Sequence, residues 1–267
     1  MEYLNEFDGI EEFSSNTRNV LHIINKEGRI SVANITDQLK ISESTVRRIL
    51  LFLEEKKIVK RYHGGASIVH TGRPELPVYQ RDTESANEKR EIAKAAAAHV
   101  GKGDRIFLAG GTSVAAMCEF VKDIPDLTVV TDSLLVIRSL MYERNIRLIS
   151  LGGILNMDEQ CFEGILTSAN IKLLRLNKIF VGITGIDVND GFLINDLSQV
   201  DLYRSCTSGA ELIIVASSDK FYREGIMSLY LPSEVDLLVT NRKAPPDIVQ
   251  QLESNGCRTE FAKALDG

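Results

Sequence analysis

Two groups of side chains in this sequence have the types and spacing to act on a phosphate. The first is Ser42, Ser44, Thr45, Arg47 and Arg48, followed shortly by Lys60, Arg61 and His63. Hydroxyl and guanidinium groups crowded into one short segment can donate to base edges, and the cations after them can neutralise a phosphate backbone. The second is a series of small-residue loops: Gly110-Gly111-Thr112-Ser113, Thr131-Asp132-Ser133, Gly152-Gly153, and Ser217-Ser218-Asp219-Lys220. Backbone N–H groups at a glycine turn, with hydroxyls and one lysine, form a receptor for phosphate or carboxylate. Paired arginines are also an ordinary solvated helix face, and Gly and Ser after a strand are ordinary turn chemistry. The elements that carry each group therefore decide its meaning.

Val32, Ile35 and Leu39 fall at helical spacing, Lys40-Ile41-Ser42 interrupts, and Val46, Ile49, Leu50 and Leu53 resume that spacing. This predicts two helices joined by a tight turn. On the second, a rotation of about 100° per residue sets Ser44, Arg47 and Arg48 opposite the apolar stripe. That is the layout of a recognition helix whose N-terminal half reads the major groove. Ile58 to Tyr62 alternates with a β period, stops at Gly64-Gly65 and resumes at Ala66 to Val69, which predicts a hairpin wing holding Lys60, Arg61 and His63 near a phosphate backbone. Upstream, Ser14 or Ser15 can cap a first helix whose Val20, Leu21 and Ile24 share the same core, with Gly28 ending it. His22 is expected at its surface with no role.

Beyond Arg105 the pattern changes. RIFLA, LTVV, IRLISL, KIFVG, ELIIVA and DLLVT are short β-branched runs, most of them followed by a turn and a helical pattern. Continuous apolar strands alternating with helices predict an α/β body, a doubly wound parallel sheet buried on both faces. Ligands in such folds bind outside the carboxyl ends of the strands, where the Gly110, Thr131 and Gly152 loops and Lys220 fall. Ahead of this body, a Lys/Glu-rich and then Ala-rich helix is expected over about Asn87 to Val100. TGRPELP, over 71–77, is dense in proline and glycine and marks a joint between two domains.

The net charge of -6 is unevenly spread. Residues 14–73 carry eleven Lys and Arg against five Asp and Glu, whereas residues 1–13 carry five acids and no base. A basic module on an acidic body suits a protein of which only the front faces phosphates. The 44% apolar content supports a sizeable core, and no run approaches the roughly 18 apolar residues of a membrane span, so a cytoplasmic protein is expected. Cys118, Cys161, Cys206 and Cys257 are scattered without metal-ligand or disulfide spacing; free buried thiols are expected, with no metal site and no cofactor.

The stretch Gly28 to Ala66 resembles the amino-terminal domain of the DeoR family of bacterial transcriptional regulators. Ile41-Ser42-Glu43-Ser44-Thr45-Val46-Arg47-Arg48, Leu50, Leu53-Glu54 and His63-Gly64-Gly65-Ala66 carry the likeness. Ile49 stands where the family has an acid, and Leu51 and Phe52 stand where it is usually polar. The remainder is similar to the family's sensor domain, of ribose-5-phosphate-isomerase-like fold, through Glu88-Lys89-Arg90, Gly111-Thr112, Val130-Thr131, Leu151-Gly152-Gly153, Phe180-Val181-Gly182, Gly185-Ile186-Asp187, Gly191 and Ser218 to Phe221. The likeness covers about residues 14–240. It departs at Ala109 for an acid, Asp132 for asparagine, Ile165 for proline, Gln199 for glutamate, Tyr203 for lysine and Ser217 for aspartate.

The resemblance implies four segments: an acidic, weakly ordered lead over 1–13, a winged helix-turn-helix over 14–70, a linker over 71–86, and an α/β effector-sensing and oligomerisation domain over 87–267. It implies a homo-oligomer, a dimer or tetramer, that represses a carbohydrate operon by binding double-stranded operator DNA and is released by a phosphorylated sugar or related metabolite. Asp132 brings negative charge toward the anion site whereas Ala109 and Ser217 remove it, which points to an effector other than the usual simple sugar phosphate or to moved polar groups for its hydroxyls. Two alternatives stay open. One is a sugar-phosphate isomerase using Asp132, Asp187 or Asp196 with Lys220; the other is an adaptor using the winged helix, with its apolar Leu51 and Phe52, for protein contact. The residues nearest the family's catalytic positions, Ala109, Gln199 and Tyr203, speak against the first, so no catalytic residue is expected.

Overall fold

The computed structural model describes residues 13–27, 29–56, 58–62, 64–68, 78–81, 85–206 and 209–265. Gly28, His63 and the 71–77 joint lie outside the described residues, as does the side chain of Lys60. By compactness the chain divides into Met1–Arg73 with Tyr222–Glu224, and Pro74–Phe221 with Gly225–Gly267.

In the first unit, α1 (Ser15–Glu27) starts where the Ser14 hydroxyl accepts the Thr17 backbone N–H at 3.2 Å. Strand β1 (Arg29–Ser31) leads into α2 (Val32–Leu39), capped by the Ser31 hydroxyl and closed by Lys40 in the left-handed conformation at φ 55°. Helix α3 (Glu43–Glu55) then begins at the Ser42 cap. Val20, Leu21, Ile24, Ile35, Val46, Leu50 and Leu53 are buried together, so the periodic apolar positions of all three helices make one small core. Each such side chain contributes roughly 1.5–3 kcal/mol by leaving water. The hairpin β2 (Val59–Tyr62) and β3 (Gly65–Ile68) forms as the alternation predicts, and β1 pairs with it in the order β1-β3-β2.

The second unit opens with α4 (Val78–Arg81) and α5 (Ala86–Ala97). Next come β4 (Arg105–Leu108), α6 (Thr112–Ala115), α7 (Cys118–Val121), β5 (Leu127–Thr131), α8 (Leu134–Leu140) and β6 (Ile146–Ser150). A hairpin of β7 (Ile154–Asn156) and β8 (Cys161–Glu163), then α9 (Ile165–Ile171), precedes β9 (Lys178–Val181). Strands β10 (Gly185–Asp187) and β11 (Gly191–Ile194), α10 (Leu197–Cys206), β12 (Glu211–Val215) and β13 (Met227–Tyr230) follow. The chain closes with β14 (Leu237–Thr240), α11 (Pro246–Ser254) and β15 (Arg258–Phe261).

The main sheet is parallel, in the order β15-β14-β12-β9-β4-β5-β6. From β4 the chain winds outward through β5 to β6, then returns to lay β9 against the other side of β4. The strand order therefore reverses between β4 and β9, and in open α/β sheets ligands bind at the carboxyl ends of strands at such a switch point. Ile106, Leu108, Val129, Phe180, Ile213 and Val239 from the strands pack with Ile92, Ala93, Ala96, Val114 and Val136 from the helices, which is why these strands read as unbroken apolar runs. A smaller antiparallel sheet, β10-β11-β13, stands beside it. The four cysteines are free and buried. Among the described residues no helix is long and apolar enough to cross a membrane.

Candidate functional site

Helix α3 exposes Ser44, Arg47 and Arg48 on the side opposite its buried Val46, Ile49, Leu50 and Leu53. Ser42 both caps the helix, accepting from the Thr45 N–H at 3.2 Å, and joins the Ser44 and Thr45 hydroxyls at 2.9 and 2.8 Å. The structure thus gathers three of the expected donors into one hydroxyl cluster at the helix start. Arg47 lies 3.4 Å from Glu43, with both side chains more than half exposed. Such a pair contributes about 0.3–0.5 kcal/mol, so the guanidinium can leave it for a stronger acceptor. Among the described residues no carboxylate pairs with Arg48. Arg61, on the wing, is held more firmly: its backbone N–H donates to Glu54 at 3.0 Å and its guanidinium reaches the same carboxylate at 3.4 Å. Glu54 thereby ties the wing to α3, a link that no spacing in the sequence signals. Leu51 is 46% and Phe52 37% exposed beside this face.

At the carboxyl end of the parallel sheet, the loop after β4 turns at Gly110 and Gly111 into the short α6. Gly111 has φ 110°, a left-handed region that favours glycine. A Cβ on Gly182, in the loop after β9, would stand 3.5 Å from the Gly110 carbonyl, so the two loops of the switch point close on each other through glycine. Thr112 is buried and Ser113 half-buried. Thr131 is fully buried, its hydroxyl donating to Leu108 O at 2.6 Å and accepting from the Ser133 N–H at 2.9 Å. Ser133 caps α8 through Val136 N at 3.4 Å. These two hydroxyls therefore brace the ends of β4 and β5.

Asp132 is 0% exposed and lies beneath this loop. The Tyr203 hydroxyl, brought in by α10 with its ring against Phe107, donates to Asp132 Oδ2 at 3.3 Å. Asp132 Oδ1 has no partner among the described residues. Burial pushes this carboxyl up to about 7, against the opposing effect of backbone N–H groups, including that of Gly110, and of the Tyr203 hydroxyl. Burial and the facing Asp132 push the Tyr203 hydroxyl and the Cys161 thiol well up in turn. The β7-β8 hairpin folds over the end of β5: Phe162 N donates to Asp132 O at 2.7 Å, Leu134 N donates to Gln160 O at 2.8 Å, and Cys161 receives the Gln199 amide at 3.7 Å. Tyr203, Cys161 and Gln199 come from distant parts of the chain; the family resemblance singles out Asp132, Gln199 and Tyr203 as departures in one pocket, and only Cys161 goes unsignalled.

The other expected residues fall less centrally. Gly152 and Gly153 turn from β6 into the hairpin, and a Cβ on Gly153 would stand 2.1 Å from Thr167 Oγ1, which donates to Gly152 O at 2.7 Å. This pair packs against α9. Lys220 sits in the helical turn Ser218–Tyr222 after β12, with its N–H on Ser217 O at 3.0 Å. Its loop is two strands from β4, roughly 10 Å at the usual spacing of about 4.8 Å. Asp187 and Asp196, the alternative bases, accept backbone N–H groups of their own turns at 2.8 Å.

Comparison with known proteins bears on both units. Residues 17–72 match the DeoR-like helix-turn-helix domain, and residues 84–242 match the DeoR C terminal sensor domain. The chain is 31% identical to the uncharacterised HTH-type transcriptional regulator YulB of Bacillus subtilis over 88% of its own length and 91% of the relative's. It is 26% identical to the glycerol-3-phosphate regulon repressor of Escherichia coli, over 91% of this chain and 96% of that one. Among solved structures, ribose 5-phosphate isomerase from Plasmodium falciparum superposes at a TM-score of 0.37 and 16% identity, covering 52% of this chain and 54% of that chain. With its front matching the family's DNA-binding domain and its body matching the sensor domain, the chain belongs to the DeoR family of transcriptional regulators.

Proposed function

We propose that this regulator represses an operon of carbohydrate use by placing α3 in the major groove of an operator, and that a phosphorylated sugar or related small anion relieves the repression. The carrying observation is the exposed Ser44, Arg47 and Arg48 face over a fully buried apolar stripe: donors and cations on a rigid rod. Ser42 and Thr45 orient the hydroxyl cluster, and Arg48, Lys60, Arg61 and His63 serve the phosphates. The effector binds at the carboxyl ends of β4, β5 and β6, where Gly110, Gly111, Thr112 and Ser113 offer backbone and hydroxyl donors; Thr131, Asp132 and Ser133 lie behind them, Gly152 and Gly153 border them, and Lys220 adds distant positive charge. The Escherichia coli relative's name, with its phosphorylated polyol, supports this effector class. The chain is a regulator and not an isomerase.

The functional segments are 14–70 for DNA, 71–86 as linker and 87–267 for sensing and assembly. A cytoplasmic homodimer or tetramer would set two reading helices on a repeated operator. An effector that favours the assembly with misplaced helices lowers DNA affinity by the ratio of its affinities for the two states. The test is Arg47→Ala. It removes one exposed bidentate donor, and specific operator binding is expected to vanish while thermal stability and effector binding by calorimetry stay at wild-type values. Full footprinting by that variant would remove Arg47 from the reading face.

A further inference from the structure

Helix α3 carries a leucine where its exposed face calls for polar groups. At about 100° per residue the buried Val46, Ile49, Leu50 and Leu53 gather round one direction, and Leu51 projects within roughly 30° of the opposite one, between Arg47 and Arg48. Its side chain is 46% exposed. The two flanks belong to the unit's own elements: on one, Phe52 meets the Phe13 ring edge to face with centroids 5.4 Å apart, and on the other Glu54 holds the wing through Arg61. Leu51 therefore stands on the exposed crest and extends the reading face by one turn. Ser44, Arg47, Arg48 and Leu51 are spaced i, i+3, i+4 and i+7, the spacing with which the reading helix of a homeodomain touches bases.

We propose that Leu51 reads a thymine of the operator by packing its isobutyl group on the C5-methyl in the major groove. Leucine has neither donor nor acceptor, and the thymine methyl is the apolar group that a base edge presents there. Against the other base edges the same side chain would strip water from a donor or acceptor and leave it unpaired. Helical side chains lean toward the N-terminus, so Leu51 covers surface over the turn of Arg47 and Arg48, whose cations hold the helix to the duplex. From Ser44 to Leu51 is about 10 Å of helix, the rise of roughly three base pairs, so the serine, the arginines and the leucine address neighbouring steps of one half-site. Glu55, exposed one turn further along the same crest, ends the stretch that suits phosphates.

The inference rests on α3 as the reading helix, and full-length wild type, L51A, L51N and R47A keep the two claims apart. The wild-type chain selects its preferred site from a pool of randomised duplexes, and each thymine of that site is then replaced by deoxyuridine, which lacks only the methyl group. At one position in each half-site the replacement should weaken wild-type binding about four-fold, the factor that burying one methyl group is worth. L51A should be blind to that replacement. L51N, selected anew, should lose the thymine preference at that position and keep the rest of the site. Both substitutions fall on an exposed helix position, which tolerates either residue at little cost to the fold. If wild type ignores every deoxyuridine, or L51A responds as wild type does, while R47A loses specific binding, the thymine contact is overturned and α3 remains the reader; a leucine that serves protein contact gives this result. If R47A selects the wild-type site, the reading of α3 falls and the thymine contact with it.

Discussion

Asp132→Asn keeps the shape of a buried side chain and removes its charge, which isolates the electrostatics of the switch-point cluster. The wild-type carboxyl has an ordinary value of 3.8 and is pushed up to about 7 by complete burial beneath Gly110. Around it, burial and its own charge hold Tyr203 and Cys161 protonated, and Cys206 is pushed up to about 12. Asp132 is therefore the member of this cluster that changes charge between pH 5 and 8. A raised folded-state value means that the fold prefers the neutral acid. Its contribution is fully present below about pH 4 and is lost as pH climbs through about 7. At about 1.36 kcal/mol per unit, the full cost of ionising it in place is at most about 4 kcal/mol, of which about 2–3 kcal/mol accrues between pH 5 and 8. The substituted asparagine carries no such cost, still accepts from Tyr203, and brings an amide. Thermal unfolding of both chains across pH 5–8 should show the variant's advantage growing by that amount. For a unit of this size the advantage corresponds to roughly 5–10 °C in the transition of the sensor unit. Parallel curves, or a variant less stable than wild type at pH 8, would refute the claim that an ionisable carboxylate is confined there.

Gly153→Ala would put a methyl group 2.1 Å from Thr167 Oγ1 at a backbone φ of 128°, so strain and clash should each cost roughly 1–3 kcal/mol, read as a lower denaturation midpoint. Ile35→Ala empties a fully buried position between α2 and α3 and should cost about 2–5 kcal/mol in the DNA-binding unit, measured by urea unfolding. The Asp104 carboxyl, which burial alone would raise, is held below its ordinary range by Lys178 at 2.7 Å, the Gly101 N–H and Asn177. Its stabilisation is present above about pH 4 and is lost as pH falls, so Lys178→Met should move the midpoint of acid unfolding to higher pH.

The DNA-binding unit is legible in the sequence because its signals are local. Ser42, the Val46-Ile49-Leu50-Leu53 stripe and the Tyr62 to Gly65 turn act within a few residues, and periodicity reports them. The wing's third strand, Arg29–Ser31, is not legible, being three residues that open into a helix. In the body, the six apolar runs become six of the seven strands of the parallel sheet, all but the β15 edge. The β15 edge, the β7-β8 hairpin and the β10-β11-β13 sheet escape such a reading, since their strands are three or four residues long and owe their existence to tertiary pairing. The switch-point site fares similarly. The Gly110 and Gly111 turn announces itself, whereas the burial of Asp132 under Tyr203 and the two-strand offset of Lys220 follow from sheet order, which one strand's neighbours in sequence do not encode. By residue type Asp132 is a charge facing the ligand; as a buried acid near 7, it carries less charge at neutral pH than that type suggests.

The account stands most directly on one titration: the purified full chain against its own upstream DNA, by fluorescence anisotropy between 0.05 and 0.3 M salt, with and without saturating phosphorylated sugars. The expected result is sequence-specific binding whose logarithmic salt slope falls by about one for each phosphate cation removed, as in Arg48→Ala, and whose affinity drops on addition of an effector. Binding that is equal on unrelated DNA and indifferent to salt and to every phosphorylated sugar would contradict it.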